Sequence, residues 1–201
     1  SYGRVTPDSP FPSHFHATGG VLNDSGTTLL VSNVSNAKAS VFDWNGSNWT
    51  QRGADIDAEV EGDGLGTANI NSTGNTIAVA SQTNDSNGND SGHVRIFDWD
   101  GSAWTQRGSD IEGEAAGDRL SNAAISADGN TVAVGAIGND GNGTDSGNVR
   151  IFDWDGSAWT QRGLDIDGEA AGDRLVQVSI SADGNTVAVG AGGNDGNGIN
   201  S

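Results

Sequence analysis

Ile125-Ser126-Ala127-Asp128-Gly129-Asn130-Thr131-Val132-Ala133-Val134-Gly135-Ala136 returns as the same twelve residues at 180–191, 55 positions later. A second block, Asp-Gly-Ser-Ala-Trp-Thr-Gln-Arg-Gly, stands at 100–108 and again at 155–163, with a close variant running from Asn45 to Gly53. Weaker copies of the first block occupy Ile70 to Ser81 and Val21 to Ser32. All six tryptophans obey the same step: Trp44, Trp99 and Trp154 form one series, and Trp49, Trp104 and Trp159 the other. Self-similarity at a fixed spacing of this size is the mark of a repeat architecture.

Each 55-residue unit reads as two β-hairpins. In the first, Asp128-Gly129 separates Ala124-Ile125-Ser126 from Thr131–Ala136, and Asp-Gly suits a tight turn because its central residues must reach positive φ. In the second, Val149–Trp154 meets Asp155-Gly156 and returns through Ser157–Arg162. Alternation places Val149 and Ile151 on one face and Phe152 and Trp154 on the other, so both faces carry apolar bulk. A small sheet packed between two neighbours needs that pattern. The expected fold is therefore all-β, a β-propeller-like array of four-stranded antiparallel blades. The division is an irregular N-terminal segment at 1–15, units at 16–65, 66–120 and 121–175, and a partial unit at 176–201. A β-solenoid would not need two reversing hairpins per unit, and a disordered tract would not keep tryptophan at fixed spacing.

The composition removes several functions. Twenty-seven acidic against nine basic side chains give a net charge of −18, which leaves no Lys/Arg cluster for nucleic-acid phosphates. Leu, Ile, Val and Phe supply only 38 of 201 residues, which at this charge would read as disorder if they were not periodic. No apolar run approaches the ~18 residues of a membrane span. The absence of cysteine excludes disulfides and thiolate chemistry. The absence of methionine, even at position 1, reads as a processed or excised chain, and an extracellular or cell-surface location is the expectation.

The order Gly117-Asp118-Arg119-Leu120-Ser121, hairpin, Val132–Ile137, acidic loop, Gly147–Phe152 resembles the FG-GAP repeats of integrin-α-like propellers. Leu120-Ser121 stands where Phe-Gly is expected, Leu65-Gly66 comes closer, and Gly135-Ala136-Ile137 replaces Gly-Ala-Pro. The resemblance implies a propeller blade, adhesion or recognition, and calcium held between the two motif segments. Here that stretch is Ser126–Thr131, too short for such a cage, so the family's calcium is not expected at Asp128 or Asp183. These read as turn residues.

Two other acidic stretches are candidates for a cation. The loop Asn139–Gly147, with copies at 84–92 and 194–201, could converge the oxygens of Asp140, Asn142 and Asp145, of Asp85, Asn87 and Asp90, and of Asp195 and Asn197 on calcium. Its bland reading, a solvated loop of turn formers, stands ahead of calcium. Asp165–Asp173, with copies at 55–63 and 110–118, is expected to link blades, its carboxylates neutralised by Arg162 and Arg174, or Arg107 and Arg119, or by a metal. Trp49, Trp104 and Trp159 could present sugar-stacking faces or pack between blades. Sequons such as Asn142-Gly143-Thr144 permit glycosylation in a eukaryotic source.

No catalytic residue is expected. Carboxylates that recur at the blade period read as scaffold, His93 aligns with Asn148 as loop variation, and His14 and His16 flank Phe15 as a minor metal candidate. The tryptophan hairpin occurs three times and the first hairpin four times, so a half-blade with an open edge closes the sequence. The sequence reading is thus a secreted or surface non-enzymatic propeller for adhesion or recognition, with other protein chains or glycans as its partners. Its alternatives are a filament or sheath subunit assembled through incomplete blades, and a polysaccharide-binding propeller.

Overall fold

The computed structural model describes residues 19–33, 37–60 and 62–194. The N-terminal segment 1–15, with His14 and His16, and the loop candidates Asp195 and Asn197 lie outside the described residues.

The repeat folds as β-propeller blades. The first contains β1 (Gly19–Leu22), β2 (Thr28–Asn33), β3 (Lys38–Trp44), β4 (Trp49–Gln51) and β5 (Ile56–Asp57). The second contains β6 (Leu65–Ile70), β7 (Thr76–Ser81), β8 (His93–Trp99), β9 (Trp104–Gln106) and β10 (Ile111–Glu112). The third contains β11 (Leu120–Ile125), β12 (Thr131–Ala136), β13 (Asn148–Trp154), β14 (Trp159–Gln161) and β15 (Ile166–Asp167). The last two strands, β16 (Leu175–Ile180) and β17 (Val187–Ala191), form a separate hairpin. All strand pairs within these sheets are antiparallel.

The outermost strand of each blade is broken in two. β14 pairs with the end of β13 and β15 with its beginning, Asn148 facing Asp167 and Val149 facing Ile166. Gly163, at φ 75°, turns the chain between them. The acidic stretch that reads as a linker therefore begins as half a strand.

The first hairpin closes as its sequence dictates. Ser126 Oγ donates to Asp128 Oδ1 at 2.6 Å, and the Asn130 amide donates to the same oxygen at 2.9 Å. These bonds hold the Asp128 carboxyl below its ordinary value. A depressed carboxylate stabilises the fold above its unfolded value, and that contribution is lost as pH falls through the folded value. Asp128→Ala is therefore expected to lower the urea midpoint at pH 7, and the gap to the parent should close as the pH falls below that of a free aspartate. A gap unchanged at pH 2 would show that the carboxylate is not what the turn uses.

Both faces of each blade are apolar, and the core lies between blades. Leu30, Val41, Leu65 and Ile77 fill the first boundary, and Val94, Ile96, Leu120 and Val132 the second, all essentially inaccessible. Alanines 78, 80 and 133 let the sheets approach closely. Val189 of β17 is 39% exposed where its equivalent Val134 is fully buried, because no described strand covers it.

Polar ties cross the same boundaries. Arg52 takes Asp43 of its own blade at 2.6 Å and donates to the Gly74 carbonyl of the next blade at 2.7 Å. Arg107 and Arg162 repeat this with Asp98 and Gly129, and with Asp153 and Gly184. Arg107 and Arg162 thus neutralise strand-end aspartates, not the acidic stretches that follow them. Those stretches instead meet Arg95 and Arg150, which approach Glu59 and Glu114. Arg119 and Arg174 adopt positive φ, 52° and 55°, and donate their amides to Asp90 and Asp145 carbonyls.

Candidate functional site

Position 38 of the first blade recurs as 93 and 148, at the start of β3, β8 and β13. The residue there is Lys, then His, then Asn. The rest of the strand is Val-Arg-Ile-Phe-Asp-Trp in both the second and third blades, and Ala-Ser-Val-Phe-Asp-Trp in the first, so between the second and third blades this strand changes its chemistry only at its head. His93 is not loop variation: it opens β8, pairs in register with Ser81 on one side and Glu112 on the other, and is fully buried. Cross-strand neighbours point to one face of the sheet, so Ser81, His93 and Glu112 project together.

Lys38 closes its site by ion pairs, 2.9 Å to Asp57 and 3.8 Å to Asp55. Asn148 donates to Glu114 Oε2 at 3.1 Å. His93 does neither. Its Nδ1 lies 3.4 Å from Asp110 Oδ2 and 3.9 Å from Glu59 Oε2, and neither ring nitrogen has a hydrogen-bond partner. Ser81 Oγ, Glu112 Oε2 and Arg95 Nε are likewise buried without one. Burial pushes the His93 imidazole below its ordinary value, against the pull of Asp110, Glu59 and Asp63, and the nearby Arg95 cation adds to the lowering. Burial, with Asp110 and Glu59 alongside, pushes the Glu112 carboxyl up. Unpaired buried polar groups are rare and each asks for an explanation.

A cleft of 450 Å³ opens beside this group between the second and third blades. Asp110, Glu112 and Glu114 line it with Arg150, and Phe152 and Trp159 supply an aromatic wall. Arg150 Nη2 donates to the Glu112 carbonyl at 2.6 Å, and Nη1 lies 3.9 Å from Glu114 Oε1. A larger cavity of 640 Å³ lies along the innermost strands, among Leu65, Thr67, Asn69, Gln82, Asn122 and Gln177. Among the described residues no ionisable side chain lines it.

The acidic loops use their carboxylates for their own closure. Asp85 Oδ1 accepts the Asp90 amide at 2.8 Å, and Asp140 Oδ1 accepts the Asp145 amide at 2.8 Å. Asn87 and Asn142 turn away, donating to the Gly113 and Gly168 carbonyls at 2.7 and 2.9 Å. Among the described residues, the group whose His, Asp and Glu ligand atoms lie within 4.8 Å of one another is Glu59, His93 and Asp110, on the other side of the blade boundary.

The tryptophans act as clasps. Trp104 Nε1 donates to the Arg52 carbonyl at 3.0 Å and Trp159 Nε1 to the Arg107 carbonyl at 2.8 Å, each reaching the preceding blade. Arg107 lies 4.8 Å from the centroid of Trp154 and 5.4 Å from that of Trp159. Trp49 packs against Trp44 at 5.4 Å. Among the described residues there is no helix, hence none long and apolar enough to cross a membrane.

No family model and no curated protein matches the chain. Solved structures similar to it include β-propellers. One is a Bacteroides uniformis protein provisionally assigned as a 6-phosphogluconolactonase, with a TM-score of 0.59, 14% identity, 86% of this chain and 46% of that one. The Swd1 β-propeller domain of Myceliophteria thermophila gives 0.56 and 14%, over 87% and 50%. The periplasmic gluconolactonase of Pseudomonas aeruginosa gives 0.52 and 16%, over 86% and 42%. The chain therefore spans half or less of the length of these proteins. The presence of lactonases among them overturns the exclusion of an enzyme, and with it the reading as an adhesion or recognition repeat, a filament subunit or a polysaccharide-binding propeller. The physical reason lies in the period: carboxylates that recur every 55 residues read as scaffold, yet around His93 they surround a residue that does not recur.

Proposed function

We propose that this chain forms part of a hydrolytic β-propeller that opens a neutral sugar lactone in the cleft between its second and third blades. The observation that carries the reading is a cleft of 450 Å³, the size of a small-molecule site, lined by Asp110, Glu112 and Glu114 and by Arg150, which approaches Glu114. In the reaction, water attacks the lactone carbonyl and gives its proton to one carboxylate. The ring C–O bond then breaks and the departing oxygen takes a proton from a second carboxyl, leaving the open hydroxy acid. Two carboxyl groups in different surroundings can divide these tasks. The Arg150 guanidinium faces the charge that develops on the carbonyl oxygen. The aromatic wall of Phe152 and Trp159 suits the apolar face of a sugar ring.

Charge selects among lactones. A chain at −18, with three carboxylates against one guanidinium in the cleft, repels an anionic substrate. A neutral lactone, as in the name of the periplasmic neighbour, fits better than a phosphorylated one. The test is a pH-stat assay of glucono-lactone opening by the chain, beside buffer and beside the 6-phosphorylated lactone. Acceleration of the neutral substrate, with at least tenfold less for the phosphorylated one, is expected. A rate equal to that of buffer on both would overturn the reading.

A further inference from the structure

The unpaired atoms around His93 ask for a partner. Ser81 Oγ, both nitrogens of His93, Arg95 Nε and Glu112 Oε2 are all buried and without a hydrogen bond, and all lie on neighbouring positions of β7, β8 and β10. At the equivalent place in the third blade, Asn148 reaches Glu114, and in the first, Lys38 reaches Asp57. The second blade's central residue carries an imidazole, and neither of its side-chain nitrogens is hydrogen-bonded, whereas Asn148 is bonded through its amide nitrogen and leaves only Oδ1 without a partner.

We propose that His93, Asp110 and Glu59 bind a divalent first-row transition ion, Zn²⁺ foremost, across the boundary between the first and second blades. The distances fit. Metal bonds of about 2.0–2.2 Å place tetrahedral ligands about 3.4 Å apart, and His93 Nδ1 stands 3.4 Å from Asp110 Oδ2 and 3.9 Å from Glu59 Oε2. Glu59 is divided, its Oε1 turned to Arg95 at 3.7 Å and its Oε2 to His93. The ion has a way in, because the Glu59 and Asp110 side chains are 37% and 16% exposed while His93 is sealed beneath them. One imidazole and two carboxylates suit zinc or manganese, whereas calcium takes six to eight oxygens and gains nothing from a ring nitrogen. The site joins Glu59, contributed by the first blade, to His93 and Asp110 of the second, so a bound ion would cross-link the repeat where it changes its chemistry.

The site shares Asp110 with the lactone cleft but does not rest on its hydrolytic reading, since binding is measured without substrate. The experiment is calorimetric titration of the metal-free chain with Zn²⁺, and with Ca²⁺, in parallel with thermal melts. His93→Asn installs the residue that the third blade already carries at this position, and Glu59→Gln changes a partly exposed side chain. Asp140→Asn, in the acidic loop, is the control. The expected result is one Zn²⁺ site that weakens at least tenfold in both site variants and is kept in the control, with a melting temperature raised by Zn²⁺ only while the site is intact. Zn²⁺ stoichiometry and affinity unchanged in both His93→Asn and Glu59→Gln would overturn the proposal, as would Ca²⁺ binding more tightly than Zn²⁺ at the same residues.

Discussion

Replacing Gly92 with alanine is expected to cost the fold about 2–5 kcal/mol, from left-handed backbone strain plus a forced separation of packed backbone. Gly92 stands at φ 73°, and a β-carbon there would lie 2.4 Å from the backbone nitrogen of Leu120 and 2.7 Å from its carbonyl oxygen. Those atoms belong to the next blade, and Gly92 forms a parallel bridge with Leu120. Leu120 is itself fully buried in the core cluster it shares with Val94, Ile96 and Val132, so pushing it away opens the boundary between the second and third blades. Gly147 repeats the arrangement with Leu175 and should respond alike. Gly163 isolates the two contributions: its φ is 75°, yet nothing lies within 4 Å of the place a β-carbon would take. Gly163→Ala should therefore show only the conformational part, about 1–2 kcal/mol. Urea unfolding of the three variants, followed by far-ultraviolet circular dichroism, checks this. Equal losses at Gly92 and Gly163 would mean that the close approach to Leu120 does not hold the blades together.

Arg107→Ala is expected to cost about 2–3 kcal/mol, because it removes one partner from a mostly buried set of charge-assisted contacts. Arg107 lies 3.5 Å from Asp98 Oδ2, donates to the Gly129 carbonyl at 3.1 Å and to Asn130 Oδ1 at 2.5 Å, and sits over Trp154 and Trp159. Its side chain is 14% exposed, while Asp98 is 40% exposed and can recover water, which keeps the loss below that of a fully sealed pair. Arg107→Lys should recover less than half, because an ammonium cannot fork to two acceptors and stack on indole together. Tryptophan emission should move to longer wavelength in both variants as Trp154 and Trp159 lose their cover. An alanine variant with the parent's stability and emission would contradict the clasp.

Much of this architecture is legible in the repeat. The Asp128-Gly129 turn, the two hairpins and the two apolar faces follow from local pattern, because a hairpin's determinants lie close together along the chain. The break in the outer strand is not legible, since Ile166-Asp167 is too short to signal a strand and pairs only because β13 offers it an edge. The partners of Arg107 and Arg162 are misplaced by sequence for a related reason. Their sequence neighbours are the acidic stretches, but the strand-end aspartates Asp98 and Asp153 and the turn of the next blade are nearer in space.

The site is hidden by the same regularity that discloses the fold. Aligning His93 with Asn148 treats a difference as noise, whereas Lys38, His93 and Asn148 occupy one position with three different chemistries. A usable signal is present: an ionisable ring at the head of the strand Val94-Arg95-Ile96-Phe97, in a chain with three histidines. The acidic loops stand out by composition, but Asp85 and Asp140 use their oxygens on their own loop amides. The cleft cannot be read from sequence, since Arg150 comes from β13 and Asp110 and Glu112 from the blade before it.

Whether the second blade carries the chemistry is decided by initial rates of glucono-lactone opening for the parent chain, Glu112→Gln and Asp167→Asn. Asp167 is the repeat equivalent of Glu112, paired in register with Asn148 as Glu112 is with His93, so it controls for any general effect of losing a carboxylate at that strand. The parent is expected to accelerate the reaction and Asp167→Asn to keep the parent rate. Glu112→Gln should fall at least tenfold, the lower range for loss of an acid–base group being about a hundredfold. Equal rates in all three, or an equal fall in both variants, would contradict the assignment of chemistry to the second blade.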